Sequence, residues 1–311
     1  MNKDKNDSNT ERAYTRKRKR WERFDGYRVK NIPSFQKLIP FTMSPRSASI
    51  NYFEITYDAS EILKYLDEKN RKLEENSDSN NPIKQYTYTQ FFMTLIVRIL
   101  ALRPRLNRFV SRKNIYQRHN IEIAYVLKKD FSDDGEESTT VDTFKRDSNI
   151  DDVGHILTRS IKDVKETTDD NTGDFADILM KLPNFIISFI IWIFDVLIYV
   201  GYCPEVIRKI DTMQSSVMFA NLGSIGLEGT PHHHLFNRGT CSLFISVGKV
   251  RKEKYIGDSG VEERDVIDFK VTMDERITDG FYFVKTFNLL QEILQNPQQL
   301  DTRLKEVPID E

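Results

Sequence analysis

Two short segments carry the side chains in this sequence that are best suited to proton transfer. The first is the acidic turn Asp274-Glu275-Arg276-Ile277-Thr278-Asp279-Gly280, and the second is Pro231-His232-His233-His234-Leu235, which holds three of the five histidines. Imidazole is the side chain that exchanges protons near pH 7 without help from its surroundings. A carboxylate such as Glu275 needs burial to raise its pKa before it can act as a base at that pH. The sequence therefore offers His233, His234 and Glu275 as alternative bases.

The cost of proton transfer separates these candidate bases. If the group that loses its proton is a thiol, whose pKa is about 8.5, complete transfer of the proton costs roughly 3 kcal/mol when the base is histidine and roughly 6 kcal/mol when the base is glutamate. Burial of Glu275 in a dry pocket would recover part of that difference by raising its pKa. Two non-catalytic interpretations stand beside these: Glu275 pairs with Arg276 or another cation, and the histidines form a surface hairpin with opportunistic affinity for metals. No cysteine or carboxylate lies at fixed ligand spacing from the histidines, so we predict no metal site.

The elements that must position these side chains can be predicted from the apolar pattern. Apolar and polar side chains alternate from residue 265 to residue 273, which predicts a strand with one solvated face. Over residues 280–295, Phe283, Phe287, Leu290 and Leu294 form one stripe, which predicts a helix. By the same reasoning we predict helices over residues 60–75, 87–101 and 150–167, and strands over residues 46–57, 109–110, 114–117, 121–127, 139–144, 216–222 and 241–250. Helices interleaved with strands in this order predict an α/β or α+β fold in one continuous unit.

The most apolar segment, residues 185–200, is interrupted only by Ser188 and Asp195. A bilayer span needs about 20 apolar residues, and Asp195 would cost on the order of 3 kcal/mol at the centre of the bilayer. We therefore predict a helix that is buried or faces a partner. Peripheral contact with a membrane, with the basic N-terminal residues as a second signal, is the weaker alternative.

The charge distribution is uneven along the chain. The net charge of −1 gives no overall attraction to nucleic acid, so we predict no nucleic-acid partner. Residues 1–23 nevertheless hold nine basic against four acidic residues, with an unbroken basic run at residues 16–20. We predict a disordered basic arm over residues 1–24, and no secretory signal, because no apolar segment follows the run. Cys203 and Cys241 fit free buried thiols in a reducing compartment, which predicts a cytoplasmic protein.

Several segments resemble, in the same order, those of the chloramphenicol acetyltransferase and dihydrolipoamide acyltransferase superfamily. The acidic turn resembles the family's Asp-His-Arg-x-x-Asp-Gly motif, with Glu275 in the place of the histidine. The strand and turn from Ser216 to Gly226 resemble Thr-Phe-Thr-x-Ser-Asn-Leu-Gly. The remaining matches are Arg103-Pro104-Arg105-Leu106-Asn107, the strand from Leu243 to Gly248, and Asn296-Pro297. Together they cover residues 50–297, and they imply a two-layer α/β sandwich with a mixed sheet.

The resemblance also implies a reaction and an assembly. The family transfers an acyl group between coenzyme A and an acceptor, so we expect acyl-coenzyme A as a substrate, a thiol, hydroxyl or amine acceptor, and a homotrimer with active sites between subunits. No lipoyl or subunit-binding domain precedes the matches, so we expect one free-standing acyltransferase-like domain over residues 25–311. Asp279 matches the family aspartate that pairs with an arginine to hold the catalytic loop, and Arg276 matches the arginine of the motif.

Two departures from the family pattern leave the chemistry open. Glu275 replaces the histidine base, and Ala220 stands where the family has the hydroxyl that stabilises the oxyanion. Asn221 or backbone N–H groups near Gly223 could supply that stabilisation instead. Standalone relatives carry a similar His-His-Leu beside an Asp-Glu-Arg turn, which would align with His233, His234 and Leu235 and would make one of these histidines a relocated base. The alternative function is a non-catalytic scaffold or a membrane-associated pseudoenzyme of the same fold.

Overall fold

A computed structural model describes residues 19, 22–76, 81–128, 137–166, 179–204, 207, 211–228, 230–257 and 260–308. Most of the predicted basic arm, residues 1–24, lies outside these residues. The strands are β1 (Gly26–Arg28), β2 (Ile50–Asp58), β3 (Arg108–Ser111), β4 (Asn114–Arg118), β5 (Ile121–Lys128), β6 (Glu137–Phe144), β7 (Val217–Asn221), β8 (Leu243–Val247), β9 (Arg251–Gly257) and β10 (Gly260–Asp274). The helices are α1 (Ser34–Thr42), α2 (Ser60–Glu75), α3 (Tyr88–Leu102), α4 (Ile150–Glu166), α5 (Asn184–Val200) and α6 (Gly280–Gln295).

The main sheet is mixed and has the strand order β2-β10-β8-β7-β5-β6, with β9 paired to the first half of β10. Strand β7 runs parallel to both β5 and β8, while the other pairs are antiparallel. A second, three-stranded antiparallel sheet has the order β1-β4-β3. The predicted α/β class with a mixed sheet is confirmed.

One face of the main sheet is covered by α2, α3, α4 and α6, which together with the sheet form the core. Alternate residues of β10, namely Phe269, Val271 and Met273, point into this core. Helix α3 is buried along nearly its whole length, as its apolar composition predicts, and begins where the Thr87 hydroxyl accepts a hydrogen bond from the Gln90 backbone N–H. The opposite face carries Phe244, Ser246, Lys270 and Thr272, which are also buried, and the loop between β7 and β8 packs on it. The prediction that one face of residues 265–273 is solvated is therefore wrong.

Helix α5 extends along the surface, so burial within the chain, one of the two predicted settings of this helix, is wrong, while contact with a partner stays a prediction. Only Ile198 of this helix is buried, and eight of its large apolar side chains are exposed. Pro183 precedes the helix, and Gly201, in the left-handed conformation, ends it. Among the described residues, no helix is both long and apolar enough to cross a membrane.

The small sheet and the end of α5 are tied together by residues that were predicted to belong to the arm. Arg23 and Phe24 are buried, and Arg23 forms a two-pronged ion pair with Asp25. Sequence pattern also missed β1, α1 and β9. These elements are short, and their apolar residues do not repeat over enough turns or strand positions to give a periodic signal.

Candidate functional site

The acidic turn at the end of β10 is held by a buried ion pair. Asp274 has no exposed side-chain surface, and its carboxylate accepts hydrogen bonds from Nε and Nη2 of Arg276 at 2.8 and 2.7 Å. The remaining Nη1 of Arg276 donates to the backbone carbonyls of Met43 and Ser44, both at 2.9 Å. The guanidinium therefore fastens the turn to the segment that follows α1.

This arrangement shows which acidic residue of the turn is the partner of Arg276. Neither Glu275 nor Asp279 is the partner of Arg276, because the guanidinium donates to Asp274 and to two backbone carbonyls. Asp279 is exposed and caps α6, where its carboxylate accepts the backbone N–H of Tyr282 at 2.9 Å. Glu275 is half-buried and accepts a hydrogen bond from the amide of Asn51 at 2.8 Å. Glu275 is thus engaged by a neutral donor rather than by a cation.

The histidine segment packs on the sheet face opposite the helices. The His233 ring stacks on Phe244 with a centroid distance of 4.0 Å and an angle of 7° between the ring planes. Its Nδ1 lies 2.7 Å from the backbone carbonyl of His234. A carbonyl only accepts hydrogen bonds, so this contact places the proton of the neutral ring on Nδ1 and leaves a lone pair on Nε2. His233 therefore combines a fixed ring with a nitrogen that is able to accept a proton.

The neighbouring histidines have different surroundings. His232 is half-buried with its ring 5.1 Å from that of Tyr52, and burial lowers the pKa of His232 below its ordinary value. His234 is exposed, and its ring lies 4.9 Å from that of His233 in a stacked arrangement. Neither ring has the hydrogen bond that fixes the tautomer of His233.

A single buried guanidinium links the histidine segment to the acidic turn. Arg46 donates to the backbone carbonyls of Phe236 at 2.6 Å and Gly239 at 2.7 Å, just beyond the histidines. Its Nε also lies 3.7 Å from a carboxylate oxygen of Asp274. Burial lowers the pKa of Arg46, while the charge of Asp274 opposes that effect. Through its contacts with Arg46 and Arg276, Asp274 supports both the histidine segment and the acidic turn.

Glu275 and the histidines nevertheless lie on opposite faces of the sheet. Glu275 is bonded to Asn51, whereas His232 packs against Tyr52, the next residue of β2. Successive side chains of a strand point to opposite faces, so these two contacts are made on different sides. The structure does not bring Glu275 together with His233 or His234 within one chain.

The missing hydroxyl at Ala220 has a serine beside it. Ala220 pairs with Ser246 across the parallel strands β7 and β8, so the two side chains share the face that His233 covers. The Ser246 hydroxyl donates to the backbone carbonyl of Pro231 at 3.0 Å. Ser246 therefore holds the histidine segment in place, and its donor is already used.

Asn221 and Gly223 lie at the other end of the strands. The amide of Asn221 donates to the Thr89 hydroxyl at 2.9 Å, and an amide nitrogen retains a second hydrogen for another acceptor. A Cβ at Gly223 would come within 2.5 Å of the Gly248 carbonyl oxygen, so a glycine is required for this turn to pack against the end of β8.

The strand register gives the separation between Asn221, at one end of the sheet, and Glu275, at the other. Asn221 pairs with Val247, which pairs with Phe269 of β10, and Glu275 follows six residues after Phe269. At the usual rise of a strand, this separates Asn221 from Glu275 by roughly 20 Å along the strands. The two parts of the predicted site therefore cannot meet within a single chain.

Sequence reasoning missed Asn51, Arg46 and Ser246. None of them belongs to a motif, and each reaches the site only through strand pairing or long-range contact.

Of the residues that the structure describes, no group of three or more His, Cys, Asp or Glu side chains is arranged to hold a metal ion.

Comparison with known proteins supports the resemblance seen in the sequence. Residues 206–301 match the family model of the 2-oxoacid dehydrogenases acyltransferase (catalytic domain). No curated protein matches the chain in sequence. A probable dihydrolipoamide acetyltransferase from Listeria monocytogenes is similar in structure, with a TM-score of 0.55, 16% identity, and coverage of 86% of this chain and 95% of that chain.

Two further solved structures have the same fold. A dihydrolipoamide acetyltransferase from Azotobacter vinelandii gives a TM-score of 0.54 at 12% identity, covering 88% of this chain and 94% of that chain. Chloramphenicol acetyltransferase gives a TM-score of 0.53 at 8% identity, covering 86% of this chain and 99% of that chain. The chain therefore has the fold of the chloramphenicol acetyltransferase and dihydrolipoamide acyltransferase superfamily, and its residues 206–301 carry the sequence pattern of that superfamily's catalytic domain.

Proposed function

We propose that this protein transfers an acyl group between coenzyme A and a thiol, hydroxyl or amine acceptor. The match of residues 206–301 to an acyltransferase catalytic domain supports the reaction class. The observation that carries the proposal is the ring of His233, which is fixed on Phe244 with its Nδ1 bonded to a carbonyl and its Nε2 available as a base.

In the proposed mechanism, Nε2 of His233 takes the proton of the acceptor as the acceptor attacks the thioester carbonyl. The negative charge that develops on the carbonyl oxygen is stabilised by the free amide hydrogen of Asn221 or by backbone N–H groups near Gly223. When the carbon–sulfur bond breaks, the imidazolium of His233 returns the proton to the departing sulfur of coenzyme A. Proton and charge are thus balanced over one turnover.

Glu275 is the second candidate base, and sequence position favours it. In the A. vinelandii enzyme, a serine, a histidine and an asparagine were studied for their role in the catalytic mechanism, and the histidine and asparagine are four residues apart. Glu275 and Asp279 have the same spacing here. The geometry supports His233 instead, because Glu275 is held by Asn51 and is only half-buried, whereas a glutamate base requires a dry pocket.

We further propose that the protein acts as a cytoplasmic homotrimer whose sites lie between subunits. His233 stacks on Phe244, which pairs with Met218, whereas Asn221 lies three residues further along β7 with its side chain on the other face of the sheet. The separation of the proposed base from the proposed oxyanion donor within one chain supports a shared site, because a neighbouring subunit could supply the missing group. The buried thiols of Cys203 and Cys241 support the cytoplasmic location.

The proposed reaction can be tested with purified full-length protein and acetyl-coenzyme A. We expect binding of coenzyme A by calorimetry. With an alcohol or amine acceptor we expect release of the free thiol of coenzyme A, measured with a thiol-reactive dye, and with a thiol acceptor we expect conversion of acetyl-coenzyme A to coenzyme A, measured by chromatography. If neither coenzyme A nor acetyl-coenzyme A binds to the protein, the proposal is contradicted and the non-catalytic scaffold is favoured.

A mixing experiment tests the shared site. The His233→Ala and Asn221→Ala variants are each expected to be impaired, and refolding them together should restore up to about a quarter of the wild-type activity, because some interfaces then combine two intact halves. Size-exclusion chromatography with light scattering should give three times the chain mass. Activity that does not recover in mixed trimers would contradict a site built from two subunits.

A further inference from the structure

Lys270 is a buried cation on the sheet face that the histidine segment covers. Its side chain is 7% exposed, and burial lowers the pKa of its ammonium group below the ordinary value. The ammonium pairs with the carboxylate of Glu54, whose side chain is 64% exposed. Water screens an exposed carboxylate, so such a pair contributes little to stability. The cation is therefore fixed by its buried position, while the anion that faces it can turn into solvent.

The strand register places Lys270 close to the proposed base. Lys270 pairs with Ser246 of β8. Two residues further along the same face of β10, Thr272 pairs with Phe244, on which His233 stacks. Side chains two residues apart on one face of a strand are separated by roughly 7 Å. A ligand that contacts the ammonium at one end can therefore present a group only a few bonds away to the base.

The loop that carries the histidines spans β10 at this point. The Pro231 carbonyl accepts from Ser246 on β8, and the His232 ring packs against Tyr52 on β2, which is the strand on the other side of β10. Oγ1 of Thr230 and Nδ1 of His232 are buried and have no hydrogen-bond partner among the described residues. A buried polar atom without a partner is unfavourable. A hydroxyl and a protonated ring nitrogen can both donate to an anion, so this loop offers donors beside the ammonium.

The neighbouring carboxylate on this face of β10 is already compensated. Asp268 accepts from Nη2 of Arg251 at 3.1 Å and from the Thr56 hydroxyl at 2.7 Å. An anion that enters the site therefore competes with Glu54, and not with Asp268, for the ammonium.

We propose that Lys270 binds the carboxylate of the acyl acceptor, so that the acceptor is a small acid whose thiol, hydroxyl or amine lies a few bonds from its carboxylate. This inference rests on the proposed function, because it takes His233 as the base. The acceptor carboxylate replaces that of Glu54 at the ammonium, with Thr230 and His232 as further donors. Since Nε2 of His233 takes its proton from the acceptor, an anion held this close to the base belongs to the acceptor and not to the acyl group.

Matched pairs of acids and amides test the proposal. The acceptors are β-mercaptopropionate, β-hydroxypropionate and β-alanine, each beside its neutral amide, and coenzyme A formation from acetyl-coenzyme A is measured by chromatography. For the nucleophile that the protein uses, we expect kcat/KM to be at least about tenfold higher for the acid, because its hydrogen bond to the ammonium is charge-assisted. Lys270→Met keeps the length of the side chain and removes its charge, so it should reduce this ratio to less than about two.

The partner of the ammonium gives a second variant with the opposite effect. Glu54→Gln removes the resident carboxylate, so we expect the KM for the acid to fall at least about threefold, whereas Lys270→Met raises it. A purely structural ion pair would not give opposite effects at its two ends. The control is Lys252→Met, because Lys252 pairs with Glu263 at the surface and is 72% exposed, and this change should leave the ratio of acid to amide unaltered.

Calorimetry separates this inference from the proposed reaction. The same acids are titrated into the protein in the presence of coenzyme A, and we expect at least about tenfold weaker binding to Lys270→Met. Such binding without acyl transfer would contradict the proposed reaction and confirm that Lys270 holds a carboxylate. Acyl transfer with equal kcat/KM for acids and amides would overturn the inference and leave the reaction standing.

Two further outcomes would also overturn the inference. The first is a preference, dependent on Lys270, for malonyl-coenzyme A over acetyl-coenzyme A with no preference among acceptors, because the carboxylate would then belong to the acyl group. The second applies if Lys270→Met does not fold: an unchanged KM for the acid in Glu54→Gln would show that the acid does not compete for the ammonium.

Discussion

Replacement of His233 by alanine is expected to lower the rate of acyl transfer at least about a hundredfold. A positioned general base contributes typically about 10² to 10⁴ in rate, and His233 is the histidine whose ring is fixed by both stacking and a hydrogen bond. The carbonyl that accepts from Nδ1 belongs to the backbone of His234, so it is retained in the variant. The loss should therefore appear in kcat, with much less effect on the affinity for coenzyme A.

The neighbouring positions provide matched controls for this prediction. His234→Ala should change the rate less than about threefold, because the backbone carbonyl at that position is kept and the ring is exposed. Added imidazole should restore part of the activity of His233→Ala, which a purely structural defect would not allow. If Glu275→Gln abolishes turnover while His233→Ala does not, the base is Glu275 and the assignment to His233 is wrong.

The acidic turn shows what sequence can and cannot predict at this site. The motif from Asp274 to Gly280 identified the fold, because its residues recur in order with the strand and glycine turn that precede it. Its ion pair could not be predicted, since Asp274, Glu275 and Asp279 all lie within reach of Arg276 in sequence. The pairing is decided by the end of β10, where the side chain of Asp274 joins the buried face that also holds Arg46.

Strand pairing accounts for much of what sequence could not place. Ala220 and Ser246 become neighbours only through the parallel register of β7 and β8, and no local periodicity encodes the pairing of distant parallel strands. The same register places Asn221 at one end of the sheet while Glu275 lies at the other. The motif residues of the site occur in the expected order in the sequence, but this order does not show that they meet within one chain.

The sequence correctly predicts that α5 is a helix, but it does not predict that the helix is exposed within the chain. Apolar composition correctly predicts a helix between Pro183 and Pro204, because both prolines limit its length. Burial does not follow from composition, since an apolar helix can equally be covered by a partner or by lipid. The contact of Arg23 with the backbone carbonyl of Ile198 shows which end of α5 is held against the rest of the chain, and the sequence pattern does not encode this long-range contact.

The largest loss of stability is expected from Asp274→Asn. This change keeps the shape of the side chain but leaves the buried guanidinium of Arg276, with that of Arg46 nearby, without the charge that compensates them. Removing one partner of a buried ion pair costs about 3–5 kcal/mol. We expect the free energy of unfolding, measured by urea titration with circular dichroism, to fall by about 3 kcal/mol. Acyl transfer should fall as well, because Arg46 also holds the segment that follows the histidines.

The same substitution at Asp279 is the control, because this residue lies in the same turn but is exposed. Asparagine caps a helix about as well as aspartate, so Asp279→Asn should change the free energy of unfolding by less than about 0.5 kcal/mol. Combining Asp274→Asn with Arg276→Gln should recover part of the loss, since it removes one of the uncompensated charges. Equal stability of the Asp274→Asn and Asp279→Asn variants would show that the buried pair does not hold the turn, and would remove the basis for coupling the turn to the histidine segment.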